Sequence, residues 1–121
     1  MGEYIMSLDF FLVREYTYDD TGEKGSEELY WGYITHNLGT MAEKAGIYDV
    51  LWHPENISVE KAWQAIPILK EGLKKLKDAP EYYERYNSSN GWGLYVHFVP
   101  FVEKVLEACE EYPNATIKTS V

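Results

Sequence analysis

The stretch SLDFFLVREYTY, residues 7–18, carries the strongest strand signal in the chain and decides its fold. Leu8, Phe10 and Leu12 alternate with Phe11 and Val13, which is the period of two that is typical of a β-strand. Because apolar side chains point to both faces in the middle of this stretch, we expect a strand that is covered on both sides.

Two other stretches of the chain are the predicted partners of this strand. LYWGYIT, residues 29–35, is a short candidate second strand, and ATIKTSV, residues 115–121, is a closing strand that pairs most simply with residues 7–16. The acidic segment DDTGEKGSEE, residues 19–28, contains two glycines and no large apolar residue. We therefore expect an exposed, mobile acidic loop or a wide hairpin connection there.

Helical periodicity fills the region between these strands. Ser58 is a suitable N-cap for a long helix, and Pro67 inside that helix predicts either a kink or two abutting helices. The apolar stripes predict helices at about residues 35–46, 58–78, 80–86 and 94–112. The fold class is therefore α+β, with a small antiparallel sheet from the N- and C-terminal strands and three to four packed helices.

The chain is strongly acidic. It has 121 residues, of which 45% are hydrophobic, and a formal net charge of −9. This length and this apolar content fit a single domain over residues 1–121. The negative charge argues against binding to duplex nucleic acid, which requires neutralisation of phosphates. It is compatible with a basic protein partner, and also with a small anionic ligand, because the local field of a site matters more than the total charge.

Cysteine usage and the absence of a targeting signal predict the cellular location. Cys109 is the only cysteine, so no disulfide can form within the chain, as is usual in a reducing cytosol. The sequence shows no N-terminal signal pattern and no apolar run long enough to span a bilayer. We expect a soluble, cytoplasmic protein without membrane contact, and the sequence leaves open whether it forms homo-oligomers.

Common catalytic and metal-binding motifs are missing from the sequence. It contains no P-loop, no dinucleotide-binding glycine pattern, no Gly-x-Ser-x-Gly, no His-Glu-x-x-His and no paired Cys-x-x-Cys. We therefore predict no metal site, no cofactor and no catalytic residue, and we favour a binding protein over an enzyme.

Two polar segments are candidate ligand contacts. Thr35, His36 and Asn37 lie at a predicted helix start, where free backbone N–H groups and the helix dipole favour an anion. The alternative is a capping cluster whose side chains satisfy their own backbone, which is the more common arrangement.

The second polar segment lies within SSNGWGLY, residues 88–95. Its Asn-Gly pair favours a turn with positive φ, its second glycine lets a backbone approach a ligand, and its tryptophan could stack on that ligand. The alternative is a helix–helix turn in which the tryptophan fills the core. The candidate contacts from this segment and the helix after it are Asn90, Gly91, Trp92, Gly93 and His97.

Both segments belong to a pattern that resembles a known group of proteins. THNLGTMAEKAGIYDVL, residues 35–51, and APEYYERYNSSNGWGLYVHFVPFVEKVLEACEEYPNATI, residues 79–117, are similar to small bacteriophage and bacterial proteins. Those proteins share a Thr-His-Asn helix start, an Asn-x-x-Asn-Gly-Trp-Gly turn and a C-terminal helix that ends at a His/Tyr-Pro step. The resemblance spans residues 30–120 and implies a phage or mobile-element origin, hence a location in the host cytoplasm. It implies no activity.

Three functions follow as hypotheses. The preferred one is a non-enzymatic protein that holds a small polar or nucleotide-like ligand between residues 35–37 and residues 90–93, and that thereby counters a host defence signal. The second is an acidic interaction module, which docks residues 19–28 and the acidic C-terminal helix on a basic host protein as an inhibitor or nucleic-acid mimic. The third is a small enzyme that uses His36 as acid or base.

Overall fold

The first strand, β1 (Ser7–Thr17), is the central strand of the sheet in a computed structural model that describes residues 7–121. β2 (Lys24–Thr35) and β3 (Thr116–Ser120) pair with it on either side, both antiparallel. The predicted α+β class, with a sheet built from both ends of the chain, is confirmed. The described residues form five α-helices rather than three to four.

The two faces of β1 differ in burial. Leu8, Phe10 and Leu12 are completely buried on one face, whereas Phe11 and Val13 on the other face are only partly buried. The Phe11 ring is covered by its cross-strand neighbour Trp31, whose ring centroid lies 6.5 Å away. The expectation that the middle of this strand is covered on both sides is therefore met only in part, because a cross-strand aromatic pair shields the second face in place of another layer.

The second half of the acidic segment, residues 24–28, is strand. β2 begins at Lys24, opposite Thr17, and the connection is a tight turn closed by the amide N–H of Tyr18, which donates to the Glu23 carbonyl at 2.7 Å. Gly22 takes a φ of +72° in this turn. Only residues 18–23 connect the strands, so the prediction of a loop over residues 24–28 is wrong.

The helices lie between β2 and β3 in the sequence. A 3₁₀ turn at His36–Leu38 precedes the first helix. The helices are α1 (Gly39–Lys44), α2 (Tyr48–Trp52), α3 (Ala62–Asp78), α4 (Pro80–Glu84) and α5 (Tyr95–Glu111). No helix within residues 7–121 is long and apolar enough to cross a membrane.

The start of α3 differs from the prediction. Ser58 has a φ of +57° and ends a 3₁₀ turn, so it does not cap α3, which begins at Ala62. Pro67 lies within one continuous helix, which excludes the predicted alternative of two abutting helices. α3 packs along α5, and Lys77 bridges to Glu103 at 2.7 Å across the two.

Candidate ligand-binding groove

A groove with a volume of about 920 Å³ opens between the edge of β2 and the first half of α5. In the described part of the chain β2 pairs only with β1, so its other edge borders the groove. The volume lies within the range of small-molecule sites. The groove is lined by residues 30–35 of β2, by residues 91–93, by His97, Pro100, Phe101 and Lys104 of α5, and by Ser7 and Leu38.

Helical spacing explains the wall formed by α5. His97, Pro100, Phe101 and Lys104 follow one another at intervals of three, one and three residues. Residues three, four and seven apart lie on the same face of an α-helix. Their side chains therefore form a continuous wall opposite β2, with His97 towards the turn at residues 91–93 and Lys104 at the far end.

The floor of the groove depends on a glycine in β2. A Cβ at Gly32 would lie 2.7 Å from the Tyr30 hydroxyl oxygen and 3.3 Å from Phe101 Cε1. The missing side chain therefore leaves room for the Tyr30 ring beside α5. Burial raises the pKa of the Tyr30 phenol, with smaller contributions from Cys109 and Glu107, so the phenol stays protonated and can donate a hydrogen bond.

The turn at residues 91–93 packs directly on the end of β2. Gly93 has a φ of +110°, and a Cβ there would lie 2.8 Å from Cβ of Asn37 and 3.4 Å from Cγ2 of Thr35. The Asn37 side-chain amide donates to the Trp92 carbonyl at 2.8 Å. The two polar segments are therefore in contact, and the second glycine of Gly-Trp-Gly is explained by this close approach.

Five of the eight predicted contact residues line the groove. They are Thr35, Gly91, Trp92, Gly93 and His97. Trp92 is 54% exposed, so the alternative in which it fills the core is wrong.

The other three predicted residues do not line the groove. Asn37 joins the two segments, and the Asn90 side-chain oxygen accepts from the Trp92 amide N–H at 2.9 Å, which shapes the turn. His36 faces a different cavity, where its Nδ1 accepts a hydrogen bond from Trp52 Nε1 at 2.8 Å. Any acid–base role of His36 would therefore take place outside the groove.

In the first segment only the Thr35 side chain bonds to the neighbouring backbone, so the capping alternative holds for that residue alone. The Thr35 hydroxyl accepts from the Asn37 amide N–H at 3.3 Å, and the backbone then forms a 3₁₀ turn before the six-residue α1. A helix as short as α1 has a weak dipole, and the Asn37 amide of the turn before it is already bonded. The groove, rather than the helix start, is therefore the candidate site.

Aromatic rings on β2 form the rim of the groove and were not among the predicted contacts. Trp31 and Tyr33 are 51% and 64% exposed, and their ring centroids lie 5.4 Å apart at an interplanar angle of 27°. Trp31 Nε1 donates to the Asp9 carboxylate at 3.1 Å, which holds the indole in place. Their alternation along β2 could have indicated one shared face, but only the structure shows that β2 is an edge strand beside a groove.

Known proteins give no further guide to this site. Neither the models of known families, nor the curated proteins, nor the solved structures contain a match to the chain. The resemblance to bacteriophage and bacterial proteins therefore stays a prediction. Among residues 7–121, no three His, Cys, Asp or Glu side chains are grouped so that they could hold a metal ion.

Proposed function

We propose that this protein is a non-enzymatic binding protein that holds a small, planar, polar molecule of nucleotide-like character in the groove between β2 and α5. The observation that carries the proposal is the convergence of two polar segments, distant in sequence, on one groove rimmed by exposed aromatic rings. Thr35 at the end of β2 and the turn at residues 91–93 both line it.

The exposed rings favour a flat ligand. Trp31, Tyr33 and Trp92 each expose more than half of their surface beside the same groove. Large apolar side chains that cluster on a surface mark interaction sites more often than isolated ones do. A planar ligand that stacks on these rings would remove apolar area from water on both partners.

Edge amides and hydroxyl groups would give the ligand its orientation. β2 presents an unpaired backbone edge to the groove within the described structure, and Ser7 and Thr35 add hydroxyl groups. Small-molecule sites combine apolar walls with a few polar groups of this kind. If the chain is encoded by a bacteriophage, as its resemblance implies, binding would lower the free concentration of such a molecule in the host, for example a defence signal.

Native mass spectrometry of the protein as purified from cells tests this proposal. We expect a stoichiometric bound small molecule in the wild-type protein and its loss in Trp92→Ala. Trp63→Ala is the matched control, because Trp63 is 55% exposed on α3 and does not line the groove. An adduct that persists in Trp92→Ala, or that disappears equally in both variants, would argue against the groove.

The alternative of an acidic docking module has less support. Two acids of α5 are already paired with lysines of α3, since Lys70 bridges to Glu110 at 3.5 Å and Lys77 to Glu103 at 2.7 Å. The end of the β1–β2 hairpin is the other acidic segment of this alternative. Its residues 14–24 are all exposed.

A further inference from the structure

The groove lacks acidic side chains in a chain that is rich in them. The sequence has 20 acidic residues, yet none of the fifteen residues that line the groove is Asp or Glu. Each of the three smaller cavities has at least one acid in its lining, such as Glu15, Asp78 or Glu43. The Asp9 carboxylate near the rim is bonded to the Trp31 indole and is not part of the lining. An anionic ligand therefore meets less repulsion here than in the other cavities.

Lys104 is the one lysine that lines the groove, and it is available for a ligand. Its side chain makes no ion pair with any residue of the described chain, whereas the neighbouring Lys70 and Lys77 are both paired with acids of α5. It lies seven residues after His97 on the same helix face, about 10 Å along the axis. The groove thus has Trp92 and the turn at residues 91–93 towards one end, a cation at the other end, and the rings of Trp31 and Tyr33 along β2.

We propose that Lys104 binds the anionic group of the groove ligand, and that the ligand class is a planar ring that carries a phosphate, with a nucleoside monophosphate as its simplest member. This inference rests on the proposed function, because it assigns the chemistry of the same site. The ring stacks on Trp31, Tyr33 or Trp92, and the phosphate accepts hydrogen bonds from the Lys104 ammonium. Lys104 acts as a point charge and contributes no covalent step.

Titration of the four ribonucleoside 5′-monophosphates and their nucleosides, followed by tryptophan fluorescence and calorimetry, tests the assignment. We expect at least one nucleotide to bind about five- to tenfold more tightly than its nucleoside, as one charge-assisted contact allows. Lys104→Gln should remove this preference, and Lys104→Arg should retain most of it.

Lys118→Gln is the matched control for the change in net charge. Lys118 is an exposed lysine on β3 that lines none of the described cavities, so the preference should be unchanged in that variant. Equal affinities for nucleotides and nucleosides, a preference that survives in Lys104→Gln, or a failure of all eight compounds to bind would each overturn the assignment. None of these results would overturn the proposed function. That proposal is tested separately, by the bound small molecule in native mass spectra and its loss in Trp92→Ala.

Discussion

At the scale of single residues, the turn at residues 91–93 requires glycine at two positions for different physical reasons. Gly91 has a φ of +80° and nothing within 4 Å of a Cβ placed there, so it needs glycine only for its backbone conformation. Gly93 combines a φ of +110° with contact to Asn37 and Thr35. Gly93 therefore lets the turn pack against the end of β2, whereas Gly91 only allows the chain to reverse direction.

Gly93→Ala should destabilise the fold more than Gly91→Ala. The added Cβ must displace Asn37 and also strain the backbone, so we expect a loss of about 2–3 kcal/mol in the free energy of unfolding, against about 1 kcal/mol for Gly91→Ala. Urea denaturation of the two variants, followed by circular dichroism, measures this difference. Equal losses would mean that the turn does not press on the end of β2 as described.

Cys109 illustrates a residue whose chemistry is suppressed by its position. It is fully buried on α5, and burial, together with the nearby Glu110, raises the pKa of its thiol to about 12. The thiol is therefore protonated at neutral pH and packs as a small apolar side chain.

At the scale of elements, the β1–β2 hairpin shows where sequence patterns were sufficient and where they failed. The alternation in residues 7–13 predicted β1 because strand periodicity is local. Residues 19–28 were predicted as a loop because two glycines and several acids disfavour a strand, and this prediction fails at residues 24–28. The Tyr16 ring covers Gly25 across the hairpin, where a Cβ would lie 2.6 Å from Tyr16 Cε2, and Arg14 bridges to Glu27 at 2.6 Å. These cross-strand contacts override the local preference, and they depend on a register that the sequence does not display.

The groove, too, depends on contacts between distant segments that local sequence patterns do not display. The polar segments at residues 35–37 and 90–93 were recognised because Gly-Trp-Gly and Thr-His-Asn are unusual locally. Trp31 and Lys104 were missed because their role requires that β2 be an edge strand beside α5. The position of His36 outside the groove was not predicted, because its partner Trp52 is brought to it only by the fold.

Neutralising the hairpin turn should leave the groove intact. Asp19, Asp20 and Glu23 lie in or beside the connection, and none of them lines the groove. We expect a variant with Asp19→Asn, Asp20→Asn and Glu23→Gln to retain the bound small molecule in native mass spectra, with the same stoichiometry as the wild-type protein. Loss of the adduct, combined with loss of salt-sensitive binding to basic proteins, would favour the docking-module alternative.

At the scale of the whole molecule, the acidic character of the chain contrasts with the acid-free lining of the groove. The chain has a net charge of −9, yet no acidic residue among residues 7–121 lines the groove, and α3 and α5 exchange ion pairs along their contact. The groove combines an apolar, acid-free lining with one lysine and one histidine. An overall negative protein can therefore still accept an anion at one place, because the lining sets the local field.

The most direct test of the groove is an amide ¹H–¹⁵N spectrum of the labelled protein, recorded with and without the low-molecular-mass fraction of a bacterial extract. The account predicts chemical-shift changes that are confined to residues 30–35, 91–93 and 97–104, and unchanged amides in the turn at residues 18–23 and along α3. Changes that cluster instead around His36 and Trp52, or a spectrum that the extract leaves unaltered, would contradict the assignment of the groove as the binding site.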